Sequence, residues 1–287
     1  MNDSLFMLIL LSGFRLAVPL IFAGMGGYFS EKSGVAQIAL ESFLLIGAFT
    51  AATAAYFTSS LVVSFVAAGL VAALFAQIFC LLILKMKSHS IVIGTGLNLL
   101  AMGLIPIVSK TIFDSTGSTP SHSLASLPFY WAFVILSVCM ILSYWLSEKT
   151  VWGLQMKFAG EKKAALDSIG VSALRRQWQA ITYGAFITGL GGAVLSIFMA
   201  SSYSPLMSAG RGFIALAAVI FAGWDLKKTM FICFLFGLSE SLQIQLQSNT
   251  LASSYIPGVI IQMLPYLLTL FALFIFRGKN QAPVELS

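Results

Sequence analysis

Apolar residues in this chain run in blocks of about twenty rather than recurring every third or fourth position, so whole segments are greasy on every side. Around twenty apolar residues carry a helix across a bilayer core. The blocks predict spans at 5–28, 35–57, 60–84, 90–109, 127–147, 178–199, 206–224, 230–246 and 256–276. The fold class expected is an all-α polytopic membrane protein of about 8–10 transmembrane or half-membrane helices, one domain over 1–287. Two spans break the pattern. SPLMSAGRGFIALAAVIFAGW carries Pro205, Gly210 and Gly212, which leave only about a dozen apolar residues after Arg211. The second span holds an acid, Glu41. Interrupted spans are where transporters expose backbone to a polar solute, and a packing kink is the competing reading.

Composition strengthens the membrane reading. Of 287 residues 59% are hydrophobic and 9% charged, against about 25% charged in soluble domains. The start does not read as a cleaved signal, because Asn2 and Asp3 stand where a basic region belongs. Cys80, Cys139 and Cys233 lie in apolar runs and read as packing residues, not disulfides or metal ligands. His122, in the outer loop 110–126, reads as an exposed loop residue, and His89 as interfacial. That loop is either a solvated connection or a lid.

The net charge of +6 raises the question of nucleic acid. Its distribution gives another answer. If loop 148–177 is cytoplasmic, so are Lys32, Lys85, Lys87, Lys149, Lys157, Lys162, Lys163, Arg175, Arg176, Lys227, Lys228, Arg277 and Lys279, which is 13 of the 16 basic residues. Lys110 and Arg211 fall outside and Arg15 within a span. Nine crossings then put the N-terminus outside and the C-terminus inside. This bias explains the charge without nucleic acid, and membrane lipid is the expected surrounding partner.

No GxxxxGK[ST] loop, HExxH, GxSxG or Cys/His cluster occurs, so neither nucleotide hydrolysis nor a hydrolytic or metal centre is expected in this chain. Polar groups within the spans are scattered instead: Arg15, Gln37, Glu41, Asn98, Arg211, Glu240 and Gln243. Such groups mark a solute route or a helix–helix bond, and both readings stay open. Glu240 and Gln243 share a face one turn apart. The clusters GMGG (24–27) and GLGGAVLS (189–196) permit close helix packing.

One polar stretch, GEKKAALDSIGV (160–171), lies between two spans. Gly153 and Gly160 precede a short helix expected at about Glu161–Ser168, with Glu161 near its N-terminus and Gly170 suited to its C-terminal cap. Too polar to span and too well capped for a slack linker, it reads as a docking surface. Ala164, Ala165 and Ile169 are its small or apolar anchors, and Glu161, Lys162 and Asp167 its rim.

Four stretches carry a family resemblance. They are SEKSGVAQIALES, IVIGTGLNLLAMGL, VWGLQMKFAGEKKAALDSIGV and SAGRGFIALAAVIFAGWDLKKTMFICFLFGLSESLQIQLQ. Together they resemble the permease subunits of bacterial ABC importers for nucleosides and simple sugars, in the wider group serving ribose and branched-chain amino acids. The chain departs from the family pattern at Lys162-Lys163, where Asn-Pro is usual, and at Ser42, where Gly is usual. The resemblance implies a type II importer-like fold and two permeases, the second a longer paralogue, around a central pathway. It also implies a cytoplasmic ATPase that binds ATP and Mg, an extracytoplasmic solute-binding lipoprotein, and no cofactor in this chain. The docking stretch then corresponds to the coupling helix. GRGFIALAAVIF resembles the nucleoside subgroup more closely, with a simple sugar as the other substrate class. A self-sufficient secondary carrier, using acids such as Glu41 or Glu240 to couple ion movement, is the competing function.

Overall fold

The computed structural model describes residues 2–248, Met263 and 282–286; the expected span 256–276 lies outside the described residues. Helices α1 (Asn2–Lys32), α2 (Leu40–Thr58), α3 (Leu61–Cys80), α4 (Ser90–Phe113) and α5 (Tyr130–Lys149) come first. Two short helices follow, α6 (Val151–Glu161) and α7 (Lys163–Ser168), then α8 (Ala173–Val194), α9 (Arg211–Phe221) and α10 (Leu226–Ser248). Both α3 and α8 run on into a π-helical turn, Leu81–Lys85 and Leu195–Met199. Among the described residues, seven helices are long and apolar enough to cross a membrane, and α9 is too short.

The bundle is built around α8, which packs on α1, α2 and α3. The best apolar stretch of α8 is 78% buried, against 22% for α5, so α5 stands at the periphery. Glycine decides how close these helices come. A Cβ on Gly26 of α1 would lie 2.4 Å from the carbonyl oxygen of Gly184, and one on Gly47 of α2 would lie 2.4 Å from that of Gly189. With lipid outside, close van der Waals contact rather than water exclusion holds such helices together. Phe22, Met25, Tyr28 and Phe29 fill the centre.

One end of the bundle gathers basic residues. Lys32 pairs with Glu161 at 3.6 Å and Lys157 with Glu148 at 2.6 Å, while Lys227 lies over the Tyr144 ring and Lys85 over that of Trp178. At the opposite end the 114–129 connection is fastened down. Thr119 N–H donates to the Tyr203 carbonyl at 3.1 Å, and Tyr203 N–H to Thr119 Oγ1 at 2.9 Å. His122 is not the exposed loop residue expected. It is 6% exposed, its N–H donates to the Ser201 carbonyl, and its Nε2 lies 3.3 Å from the Ser196 carbonyl. The π-turn at Leu195–Met199 leaves a carbonyl off the regular ladder, and an imidazole can meet it there. Arg15, placed within a span by the pattern, lies on the exposed face of α1 over the Phe129 ring.

Candidate functional site: an acid-capped half-helix and a docking loop

Helix α9 has 11 residues and so rises about 16 Å. Its C-terminal end is tied to α1 at the basic end, because Trp224 Nε1–H donates to Glu31 Oε2 at 2.7 Å. A helix of that length covers only about half of a core of about 30 Å, so its N-terminus stops short of the far end of the bundle. A helix starting there exposes unpaired N–H groups where water is scarce. Glu41 supplies the partner: its carboxylate accepts Gly210 N–H at 2.9 Å, Gly212 N–H at 2.7 Å and the Ser208 hydroxyl at 2.5 Å. Glu41 also lies in the first turn of α2, which starts at Leu40 rather than at 35 as the pattern suggests. One buried carboxylate thus sits at two helix N-termini, where negative charge is favoured. Only glycine fits the crossing, since a Cβ on Gly212 would lie 2.5 Å from the Glu41 nitrogen.

The remaining polar candidates extend this cluster. Arg211 Nη2 donates to Glu240 Oε1 on α10 at 2.5 Å, and Nη1 to the Met207 and Ser208 carbonyls at 3.3 and 3.4 Å. Asn98 of α4 holds the start of α2 from both sides: its Oδ1 accepts Ser42 N–H at 2.9 Å and its Nδ2 donates to the Ile38 carbonyl at 3.0 Å. Gln37 is buried, its N–H reaching Glu31 at 3.5 Å and its Oε1 having no hydrogen-bond partner. Gln243, a turn beyond Glu240, is half-buried. Glu41, Asn98, Arg211 and Glu240 are therefore brought together; Gln37 and Gln243 stand apart from that knot.

Beside the knot the backbone is irregular and open. Ser201, Leu206 and Ala209 have φ of 60°, 58° and 48°, left-handed values that cost a residue with a Cβ on the order of 1 kcal/mol each. Ser204, Pro205, Leu206 and Ala209 are exposed, as is Phe213 on the first turn of α9. Non-helical backbone at membrane depth is tolerated only against protein or a water-filled space. Open lipid does not suit this face.

Glu31 and Trp224 were not among the sequence candidates. Glu31 is 3% exposed, yet a charge at the end of an apolar run is ordinarily solvated, so nothing singled it out. Gly223 and Trp224, with φ of 64° and 53°, turn the chain so that the indole reaches it. The stretch SEKSGVAQIALES thus supplies both acids that hold α9, Glu31 at its end and Glu41 at its start.

The docking stretch is not one helix from Glu161. Glu161 closes α6, Lys162 breaks the chain at φ −152° and ψ 82°, and α7 starts at Lys163. Gly153 and Gly160 lie within α6, where close contact requires them: a Cβ on Gly160 would be 2.3 Å from the Lys32 carbonyl oxygen. Two adjacent lysines give no proline-like start, and the break falls at the first of them, Lys162, directly after the Glu161 that pairs with Lys32. Gly170 does take the left-handed φ of 78° that ends α7. Leu166, absent from the expected anchors, is the buried one, packed with Ala159 and Ala173. It is the one large apolar side chain within α7 itself. Asp167 accepts Ala173 N–H at 3.0 Å. Ala164, Ala165 and Ile169 are exposed, Ile169 at 69%.

A multi-pass helical bundle with an interrupted, acid-capped half-span suits a membrane transport subunit. The family described as "Branched-chain amino acid transport system / permease component" matches residues 9–273, and the chain belongs to it. It is 30% identical to the nucleoside ABC transporter permease protein NupC of Lactococcus lactis, covering 93% of this chain and 91% of that one. It is also 30% identical to the guanosine ABC transporter permease protein NupQ of Bacillus subtilis, with the same coverage. The putative glucose ABC transporter permease protein TsgC13 of Haloferax volcanii is 27% identical over 83% of this chain and 77% of that one. No solved structure matches the chain. These relatives are permeases of ABC transporters, and the function is that of a multi-pass permease subunit rather than a self-sufficient carrier.

Proposed function

We propose that the chain forms half of the pathway of an ATP-driven nucleoside importer in a bacterial cytoplasmic membrane. The solute is delivered by an extracytoplasmic binding protein, and a longer paralogous permease forms the other half. The basic end of the bundle faces the cytoplasm, and α7 docks there in a groove of an ATPase that binds ATP and Mg. The observation that carries this reading is α9, a half-helix started inside the bundle by a buried carboxylate and bordered by exposed, non-helical backbone. On this reading Glu41, Asn98, Arg211 and Glu240 frame the pathway by fixing that backbone, Gln37 and Gln243 lie along it, and the face bearing Ser204, Leu206 and Phe213 borders the solute. The two nucleoside-named relatives support the substrate class.

The test is uptake into vesicles holding the chain with its ATPase, binding protein and second permease. ATP-dependent uptake of guanosine is expected. Uptake of glucose in its place overturns the substrate class. Full activity with this chain as the sole permease overturns the paired arrangement.

A further inference from the structure

We propose that segment 282–286 is a strap that positions the docking helix α7, with Glu285 as the positioning residue; this rests on α7 being where the ATPase docks. A six-residue helix cannot hold itself in water or at a membrane surface. Two contacts fix the C-terminal half of α7: buried Leu166, and Asp167 on the nitrogen of Ala173. Its start follows the break at Lys162 and has neither. There Lys163 Nζ meets Glu285 Oε2 at 2.9 Å.

The strap is itself anchored. Pro283 is buried, and Leu286 packs against the main apolar cluster. The 33–35 turn receives Glu285 directly: a Cβ on Gly34, whose φ is 89°, would lie 2.9 Å from the Glu285 Cβ. The same turn bears on Gly160 and accepts Gln177 Nε2–H at the Ser33 carbonyl, 2.8 Å away. Between these parts lies a cleft of about 480 Å³, walled by Gly34, Lys87, Lys163, Asp167, Gln177 and Glu285. Glu285 closes one side of it, joining the start of α7 to the turn. From that turn the chain leads through Gln37 to Glu41 and the start of α9. Movement imposed on α7 is therefore passed to the pathway helix through the strap, and α7 without the strap can dock yet move alone.

The experiment uses the assembled importer with its ATPase and solute-loaded binding protein. Glu285→Lys and Lys163→Glu should each lower solute-stimulated ATP hydrolysis by about two- to five-fold, the scale of a half-exposed ion pair. Combining them should restore it. Truncation after Gln281 should speed amide exchange over 163–169. Stimulation and exchange that stay at the wild-type level in all three variants overturn the strap. Single-variant losses that the charge swap fails to repair overturn the assignment to Glu285. Ala165→Glu, made alongside, separates the two readings: a coupled ATPase in that variant defeats docking at α7, whereas the exchange rate reports on the strap alone.

Discussion

Helices α9 and α7 are both too short to cross a membrane, and they are held in opposite ways. Buried acids grip α9 at each end, Glu41 on its first N–H groups and Glu31 on Trp224. For α7 the fastenings are one leucine, one carboxylate bond to the start of α8 and a half-exposed ion pair. The difference follows from the surroundings. At membrane depth an unpaired N–H has no water to turn to, so every donor at the start of α9 must find an acceptor. At the surface water competes for each partner, and contacts there set position more than stability. The half-helix inside the bundle is thus fixed by buried acids, and the short helix at its surface is left adaptable.

The sharpest way to break this contrast is Glu41→Ala. It strands the Gly210 and Gly212 N–H groups, each at a cost of about 1–3 kcal/mol, and should lower the unfolding midpoint in detergent and abolish transport. An unchanged midpoint would mean that water already reaches the start of α9. Trp224→Phe removes a single buried hydrogen bond, and about 0.5–1.5 kcal/mol is expected by the same measurement. The loss should shrink when Glu31 is already Gln, because the two act as a pair. On α7 the order of effects reverses. Ala165→Glu should leave the midpoint within about 0.5 kcal/mol, as for exposed substitutions generally, yet release the ATPase, whose groove must then bury a charge. Lys162→Ala, at the rim, should change neither by more than about 1 kcal/mol. Pull-down of the ATPase and the midpoint together decide this last pair.

Much of the outline was legible because lipid restricts it. Long apolar blocks have no soluble alternative, so the seven long spans among the described residues, the gathering of lysines at one end and the half-length helix after Arg211 could all be read directly. Glu41, Asn98, Arg211 and Glu240 could be singled out because polar groups are costly in such blocks. Their pairing could not, since Glu41 and Gly212 are 171 positions apart and only the packing of α2 against α9 joins them. His122 shows the limit from the other side. Ser, Thr and Pro around it suggest a solvated loop, but backbone pairing of Thr119 with Tyr203 carries it inside. In the stretch 160–171, composition determined that a short polar helix would stand between two long apolar ones. Where it starts, and that Leu166 rather than Ala164, Ala165 or Ile169 turns inward, was decided by the neighbours that α6 and α8 place beside it. Local sequence determines which groups must find partners; tertiary structure decides which partners are within reach.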